Sequence, residues 1–168
     1  MKKEWEQVIT DALGVEPILI NSDLVSAQNR RRLYWTNIPN VCQPNDKGIT
    51  WGMVREHDVP MGNMYYTERG LACMHRFEEA RKKRIKVFAD SDKMQMLEKS
   101  MHKKYSGQRL FAIPDTHGWR YITPLECERC QTLPDGYTEG VSNTARYIAL
   151  GNGWTVDVIA HILSNIPK

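Results

Sequence analysis

Apolar positions recur at helical spacing near both ends of the chain. Trp5, Val8, Ile9, Ala12 and Leu13 share one face and Gly14 follows as a stop, which predicts a first helix. Ile159, Ile162, Leu163 and Ile166 give one apolar face to a last helix. After the first helix, Glu16-Pro-Ile-Leu-Ile-Asn21 is short and apolar, like a buried strand. A polar turn through Ser26, Ala27, Gln28 and Asn29 leads to Arg31–Ile38, whose aromatic and β-branched residues read as a second strand. Helix, strand, loop, strand predicts part of an α/β sheet.

From Pro39 to Gly118 the pattern loosens. Turn residues Pro44-Asn-Asp-Lys-Gly48 open it, and charged segments Arg81-Lys-Lys-Arg84 and His102-Lys-Lys104 follow. Met94, Leu97 and Met101 predict one helical face here, within a separate irregular subdomain. Regularity returns at Thr123, which can cap a helix begun by Pro124, with Glu126 at the capping-box position. Pro134, Asp135 and Gly136 stop that helix. Leu150-Gly-Asn-Gly-Trp-Thr155 reads as a glycine turn into the last helix, whose N-terminal amides favour an anionic ligand.

Composition narrows the class only slightly. A length of 168 residues, 41% hydrophobic and 26% charged, fits one soluble domain with a subdomain. No apolar run approaches membrane-spanning length, and Met-Lys-Lys-Glu-Trp-Glu opens no signal peptide. Four cysteines without even close spacing predict a reducing, cytoplasmic setting. The formal charge of +3 hints at a polyanionic partner.

Three constellations can carry chemistry. Gln28-Asn-Arg-Arg-Arg32 reads either as a solvated basic turn or as a set of planar forks for phosphate and base edges. Arg30 and Arg32 lie on one side if the strand has begun there, so they can converge on one ligand. Cys127-Glu-Arg-Cys130 suggests zinc or redox chemistry, with Cys73 and His75 the other ligand source, or simply buried helix thiols. Gly151-Asn-Gly-Trp-Thr155 is either a plain turn or a ligand loop. Tyr65 and Tyr66 read as core or rim residues rather than base-stacking ones.

Arg120-Tyr-Ile-Thr-Pro-Leu-Glu-Cys-Glu-Arg-Cys-Gln-Thr-Leu-Pro-Asp-Gly-Tyr137 resembles the ninth motif of the DNA cytosine-5 methyltransferases. Leu125 stands where that family usually has arginine, and Leu133 where it has phenylalanine. Ser26–Trp35 resembles the eighth motif, Gln-x-Arg-x-Arg, matched by Gln28, Arg30 and Arg32. Gly151–Val156 is similar to the tenth motif; Asn152 matches, Gly153 replaces a serine, and Trp154 is similar to the subgroup of eukaryotic de novo methyltransferases. The three stand in family order.

The resemblance implies a partial S-adenosylmethionine-dependent, Rossmann-like sheet plus a small target recognition subdomain. It implies residues 1–38 as the end of the catalytic domain, 39–145 as the recognition region including the ninth-motif helix of 120–137, and 146–168 as the tenth motif with its helix. Gln28, Arg30 and Arg32 line the pocket for a cytosine flipped from double-stranded DNA, with Arg32 on the ring oxygen and Arg30 bracing. The resemblance further implies that Asn152, Gly153 and Trp154 touch S-adenosyl-L-methionine, Gly153 through backbone, and that the ninth-motif helix organises recognition without reacting. Lys82, Lys83, Arg84 and Arg120 are expected to bind DNA; the three in the middle segment read either as phosphate contacts or as a solvated helix face. No metal is expected.

The family's Pro-Cys-Gln nucleophile, its glycine-rich cofactor loop and its Glu-Asn-Val motif are not found in the sequence. Cys42 lies in Val-Cys-Gln-Pro, with proline on the wrong side and after the eighth motif. The chain is therefore expected to be the C-terminal segment of such an enzyme, inactive alone. A second polypeptide would carry the catalytic motifs, in a split, interrupted or phage-borne gene. Faces at Ile18, Ile20, Leu33 and Ile159 would then meet nothing, leaving a poorly soluble chain. The alternatives are a non-catalytic DNA-binding module and a decayed gene fragment.

Overall fold

The computed structural model describes residues 1–81, 85–103 and 111–167. Helix α1, Lys3–Leu13, ends where Gly14 takes φ 67° and donates its N–H to Thr10 O. Glu4 and Glu6 sit in the first turn, where carboxylates complement the helix dipole. Strands β1 (Ile18–Asn21) and β3 (Arg31–Tyr34) form an antiparallel pair, with Ile18 opposite Tyr34 and Asn21 opposite Arg31. Between them, β2 (Gln28–Asn29) runs parallel to β5 (Met94–Gln95).

The middle segment holds more structure than its pattern predicts. Short α2 is Trp51–Val54, and α3 is Glu68–Arg81, begun where Thr67 Oγ1 accepts the Gly70 N–H. Strand β4 (Lys86–Val87) lies parallel to β6 (Phe111–Asp115), which pairs antiparallel with β7 (Gly118–Arg120). Met94, Leu97 and Met101 do not share a helix. Met94 is in β5, Met101 is in a single 3-10 turn over Lys99–His102, and Leu97 lies between. All three are nevertheless buried in one core with Trp51, Phe88, Ile113 and Tyr121. Helical spacing signalled burial correctly and the element wrongly, because an irregular path can bury the same positions.

Helix α4 is Pro124–Cys130, only part of the 120–137 segment. Its capping box is complete: Glu126 N–H donates to Thr123 Oγ1 at 3.1 Å and Thr123 N–H to Glu126 Oε2 at 2.8 Å. The helix stops before Pro134, because Gln131 turns inward and Thr132 adopts φ 57°. Helix α5, Asn143–Asn152, runs through half of the predicted glycine turn, leaving Gly153 and Trp154 as the link to α6, Val156–Leu163.

A second core joins β1 to α6 through Ile20, Val25, Val158 and Ile162, with Ile18 packed against it. Ile18 and Ile20 therefore meet α6, contrary to the expectation of a bare face. Helix α6 is apolar on its other side as well, where Val156 and Leu163 are exposed; it ends at Leu163, so Ile166, half exposed, lies beyond the helical face predicted for it. The apolar face of α1 is uncovered too: Trp5, Val8 and Leu13 are each more than half exposed. Among the described residues no helix is long and apolar enough to cross a membrane.

Buried carboxylates give this fold a direction in pH. Glu128 would be pushed up by burial, but Thr138, the Arg146 guanidinium and the Gly136 N–H hold it below the usual carboxylate range. Asp115 is likewise pushed up by burial and brought down by Arg120, the Thr116 N–H and Arg55. A depressed folded-state pKa means that the unfolded chain binds protons first on acidification. The stabilisation is therefore complete above about pH 5 and drains away as pH falls below about 4, the unfolded carboxyl range. In urea titrations against pH, Arg146→Met should be less stable at neutral pH and should lose less of its stability below about pH 4 than the unsubstituted chain, because Glu128 is then held down less. Stability that rises between pH 5 and 3 would contradict this account.

Candidate functional site

A cleft of about 550 Å³ opens between β3 and the α5–α6 link. Arg30, Arg32 and Tyr34 form one wall; Asn152, Trp154 and Leu163 form the other. The structure thus brings four of the predicted site residues together, although 120 positions separate Arg32 from Asn152 in sequence.

The two arginines do different things there. Arg30 is 4% exposed and its fork is consumed by backbone: Nη1 donates to Leu97 O at 3.0 Å, and Nη2 to Gly153 O at 2.8 Å and Gly151 O at 3.3 Å. Burial, and then the charge of Arg32, lowers its pKa from the ordinary guanidinium value. Arg30 is a strap across three segments. Arg32 is only half-buried, donating Nη1 to Arg31 O at 2.9 Å and Nη2 to the Met96 thioether at 2.9 Å. A thioether is a weak acceptor, so a ligand carbonyl would displace it readily. Beside them, burial pushes the Tyr34 hydroxyl up against the pull of Arg30 and Arg32, keeping it a neutral phenol.

Gln28 does not reach the cleft. It is fully buried, donating Nε2 to Cys130 O at 2.7 Å and to Gln131 Oε1 at 2.8 Å. Its expected place in the pocket is corrected to a tie between β2 and the end of α4.

Gly153 contributes backbone only, its carbonyl turned inward to Arg30 and Gln131. Asn152 and Trp154 project outward, Trp154 being 67% exposed. Across Trp154 lies a second groove of about 450 Å³, lined by Leu133, Tyr137, Val156 and Leu163 and by no charged side chain. Its apolar lining suits an apolar surface, with Tyr137 and Thr138 at its polar side.

Arg120 is corrected outright as a DNA contact. It is fully buried, with Nη1 and Nη2 on Glu126 at 2.9 and 2.7 Å, Nη2 also on Glu56 O at 2.8 Å, and Nε on Asp115. Burial works against its charge, yet Glu126 and Asp115 hold its pKa above the ordinary value. Lys82, Lys83 and Arg84 lie outside the described residues. Tyr66 packs beside Tyr121, and Tyr65 donates its hydroxyl to Val59 O at 2.7 Å.

Cys127 and Cys130 are fully buried and burial drives both thiols far toward the neutral form, which suits neither attack nor ligation. Among the described residues no three His, Cys, Asp or Glu side chains converge as metal ligands. What sequence reasoning missed is Gln131 and Thr155, which sit behind the cleft and carry no chemistry of their own. Only their partners in space reveal them.

A family model described as C-5 cytosine-specific DNA methylase matches residues 45–168. The chain belongs to the C-5 cytosine-specific DNA methylases. Within the family, 50 residues are 40% identical to the Type II methyltransferase M.Sau3AI of Staphylococcus aureus, covering 30% of this chain and 12% of that protein. The fold resembles the Entamoeba histolytica methyltransferase EhMeth, with a TM-score of 0.69 and 18% identity over 95% of this chain. It also resembles the S. pombe Dnmt2 methyltransferase, with a TM-score of 0.64 and 14% identity over 97% of this chain. The chain spans 56% and 61% of those two structures. The shared architecture is a partial Rossmann-like α/β fold with small sheets.

Proposed function

We propose that this chain is the target-recognising, C-terminal part of a DNA (cytosine-5-)-methyltransferase, working with a polypeptide portion that supplies the attacking cysteine. The observation that carries the proposal is Arg32, held among the described residues by a backbone carbonyl and a thioether, facing Asn152 and Trp154 across one cleft. A guanidinium in that state suits the ring oxygen of a flipped cytosine. Arg30 keeps the cleft's two walls in register rather than touching the base.

The opposite wall fits S-adenosyl-L-methionine. Asn152 offers an amide donor and acceptor, suited to the charged amino-acid end, and the exposed Trp154 ring offers an apolar face. When bound, the cofactor supplies the methyl group. The apolar faces left open on α1 and α6 support a partner surface, since exposed contiguous apolar faces are ordinarily covered. Residues 1–38 and 146–168 then belong with the catalytic portion, and 39–145 with DNA recognition. In that scheme Lys82, Lys83 and Arg84 reach phosphates.

The test mixes the chain with a polypeptide carrying the Pro-Cys-Gln and Glu-Asn-Val motifs and follows methyl transfer to duplex DNA. Activity should need both, and Arg32→Ala should lower it about 100-fold or more. DNA binding without methyl transfer under every pairing would instead favour a non-catalytic module.

A further inference from the structure

One fully buried side chain lies behind both walls of the cleft without lining it. Gln131 donates Nε2 to Leu150 O at 2.5 Å and to Gly153 O at 3.3 Å. Its Oε1 accepts from Gln28 Nε2 at 2.8 Å and from Thr155 Oγ1 at 3.0 Å, and its backbone oxygen accepts the Val156 N–H at 2.9 Å. Two carbonyls on one side and two donors on the other fix which way the amide faces.

The bond to Leu150 O has a particular consequence. In a continuing α5 that carbonyl would take the N–H of Trp154, four residues on. Gln131 occupies it instead. The helix ends, Gly153 turns extended (φ −66°, ψ 171°), and Trp154 swings into solvent beside the cleft. Thr155 begins α6 while donating its hydroxyl back to the same amide. Gln28, from the Gln-x-Arg-x-Arg segment, braces Gln131 from the other side and takes the Leu97 N–H on its own Oε1 at 3.3 Å.

We infer that Gln131 is a positioning residue for the Asn152–Trp154 link and, through it, for the cofactor; this rests on the cofactor site proposed above. The ninth-motif segment thereby acts on the cofactor side of the enzyme and not only on DNA recognition. Thr155 is its nearest accomplice.

Two variants test it in the complex with the catalytic portion. Gln131→Met keeps the bulk and removes the amide; Thr155→Val removes one hydroxyl and is the milder change should the first fail to fold. The measurements are calorimetric affinity for S-adenosylhomocysteine, affinity for a DNA duplex, and amide exchange at residues 153–156. Losing these bonds strands buried carbonyls, so Gln131→Met should weaken S-adenosylhomocysteine about 10-fold or more and leave DNA within about 3-fold. Exchange over 153–156 should quicken while that of β6 and β7 holds. Thr155→Val should shift the same quantities in the same direction by less. Unchanged exchange over 153–156, or parallel losses of cofactor and DNA affinity, would overturn the inference. If the unsubstituted complex binds no S-adenosylhomocysteine, the cofactor site proposed above fails. The exchange rates then decide alone whether Gln131 holds the link.

Discussion

Arg120→Met should lower the unfolding free energy by about 3–5 kcal/mol, a third or more of what a domain of this size possesses. The reason is what the substitution leaves behind. The side chains of Asp115 and Glu126 are 3% and 0% exposed, and both lean on the one guanidinium. Without it Glu126 loses its ion pair, Asp115 keeps only the weaker pull of Arg55, and Glu56 O loses its donor as well. Lost packing is the smaller effect, because methionine fills much of the same volume. The melting temperature should fall by roughly 10 °C or more. Adding Asp115→Asn and Glu126→Gln should recover part of the loss, since neutral amides cost less to leave unpaired than charges. Thermal unfolding of the parent, the single variant and the triple variant decides it. An Arg120→Met chain as stable as the parent but weakened for DNA would return Arg120 to the DNA surface.

Arg120 also marks where the sequence stopped being readable. A lone arginine beside an aromatic carries no sign of whether it faces phosphate or carboxylate. Its partners, Asp115 and Glu126, are near in sequence, but β7 and the capped start of α4 must fold before they meet it. Gln28 fails the same way over a longer span, its partners on α4 lying about a hundred residues on. Local grammar fared better. Thr123, Pro124 and Glu126 form the capping box that their spacing predicts, because every partner lies within one turn. Gly14 ends α1 for the same kind of reason. Helices α3 and α5 were legible in principle, since Thr67 and Ser142 cap them, but charged residues interrupt the apolar spacing of α3, and α5 runs into a Gly-Asn-Gly that reads as a turn. For the cleft, motif order supplied Arg30, Arg32, Asn152 and Trp154, and only the fold separates the arginine that straps from the one that stands half-buried in the cleft.

Gly151→Ala poses the sharpest contest between local and tertiary effects. Alanine is the better helix former by about 1 kcal/mol, and Gly151 lies in α5 with no positive φ to protect. A free helix would be stabilised. Here the added Cβ would fall onto Lys99 N and Glu98 C, and 2.6 Å from Glu98 O. Those are backbone atoms at the start of the 3-10 turn over Lys99–His102, so no side chain can swing away. The turn must move as a unit, and the Arg30 strap ties it in place through Leu97 O and Gly151 O. Overpacking against backbone should cost about 3 kcal/mol or more, outweighing the propensity gain. Gly153→Ala serves as the control. Its Cβ would lie 3.1 Å from Ala149 O, close enough to ask only a small adjustment, so its loss should stay near 1 kcal/mol. Urea unfolding of both variants separates the accounts. If Gly151→Ala proves neutral or more stable, the close approach of α5 to the 3-10 turn is wrong. If it destabilises as expected, the first glycine of Gly151-Asn-Gly153 is there so that two backbones can touch. The part of that motif left to meet a ligand is then Asn152 and Trp154, held in place from behind.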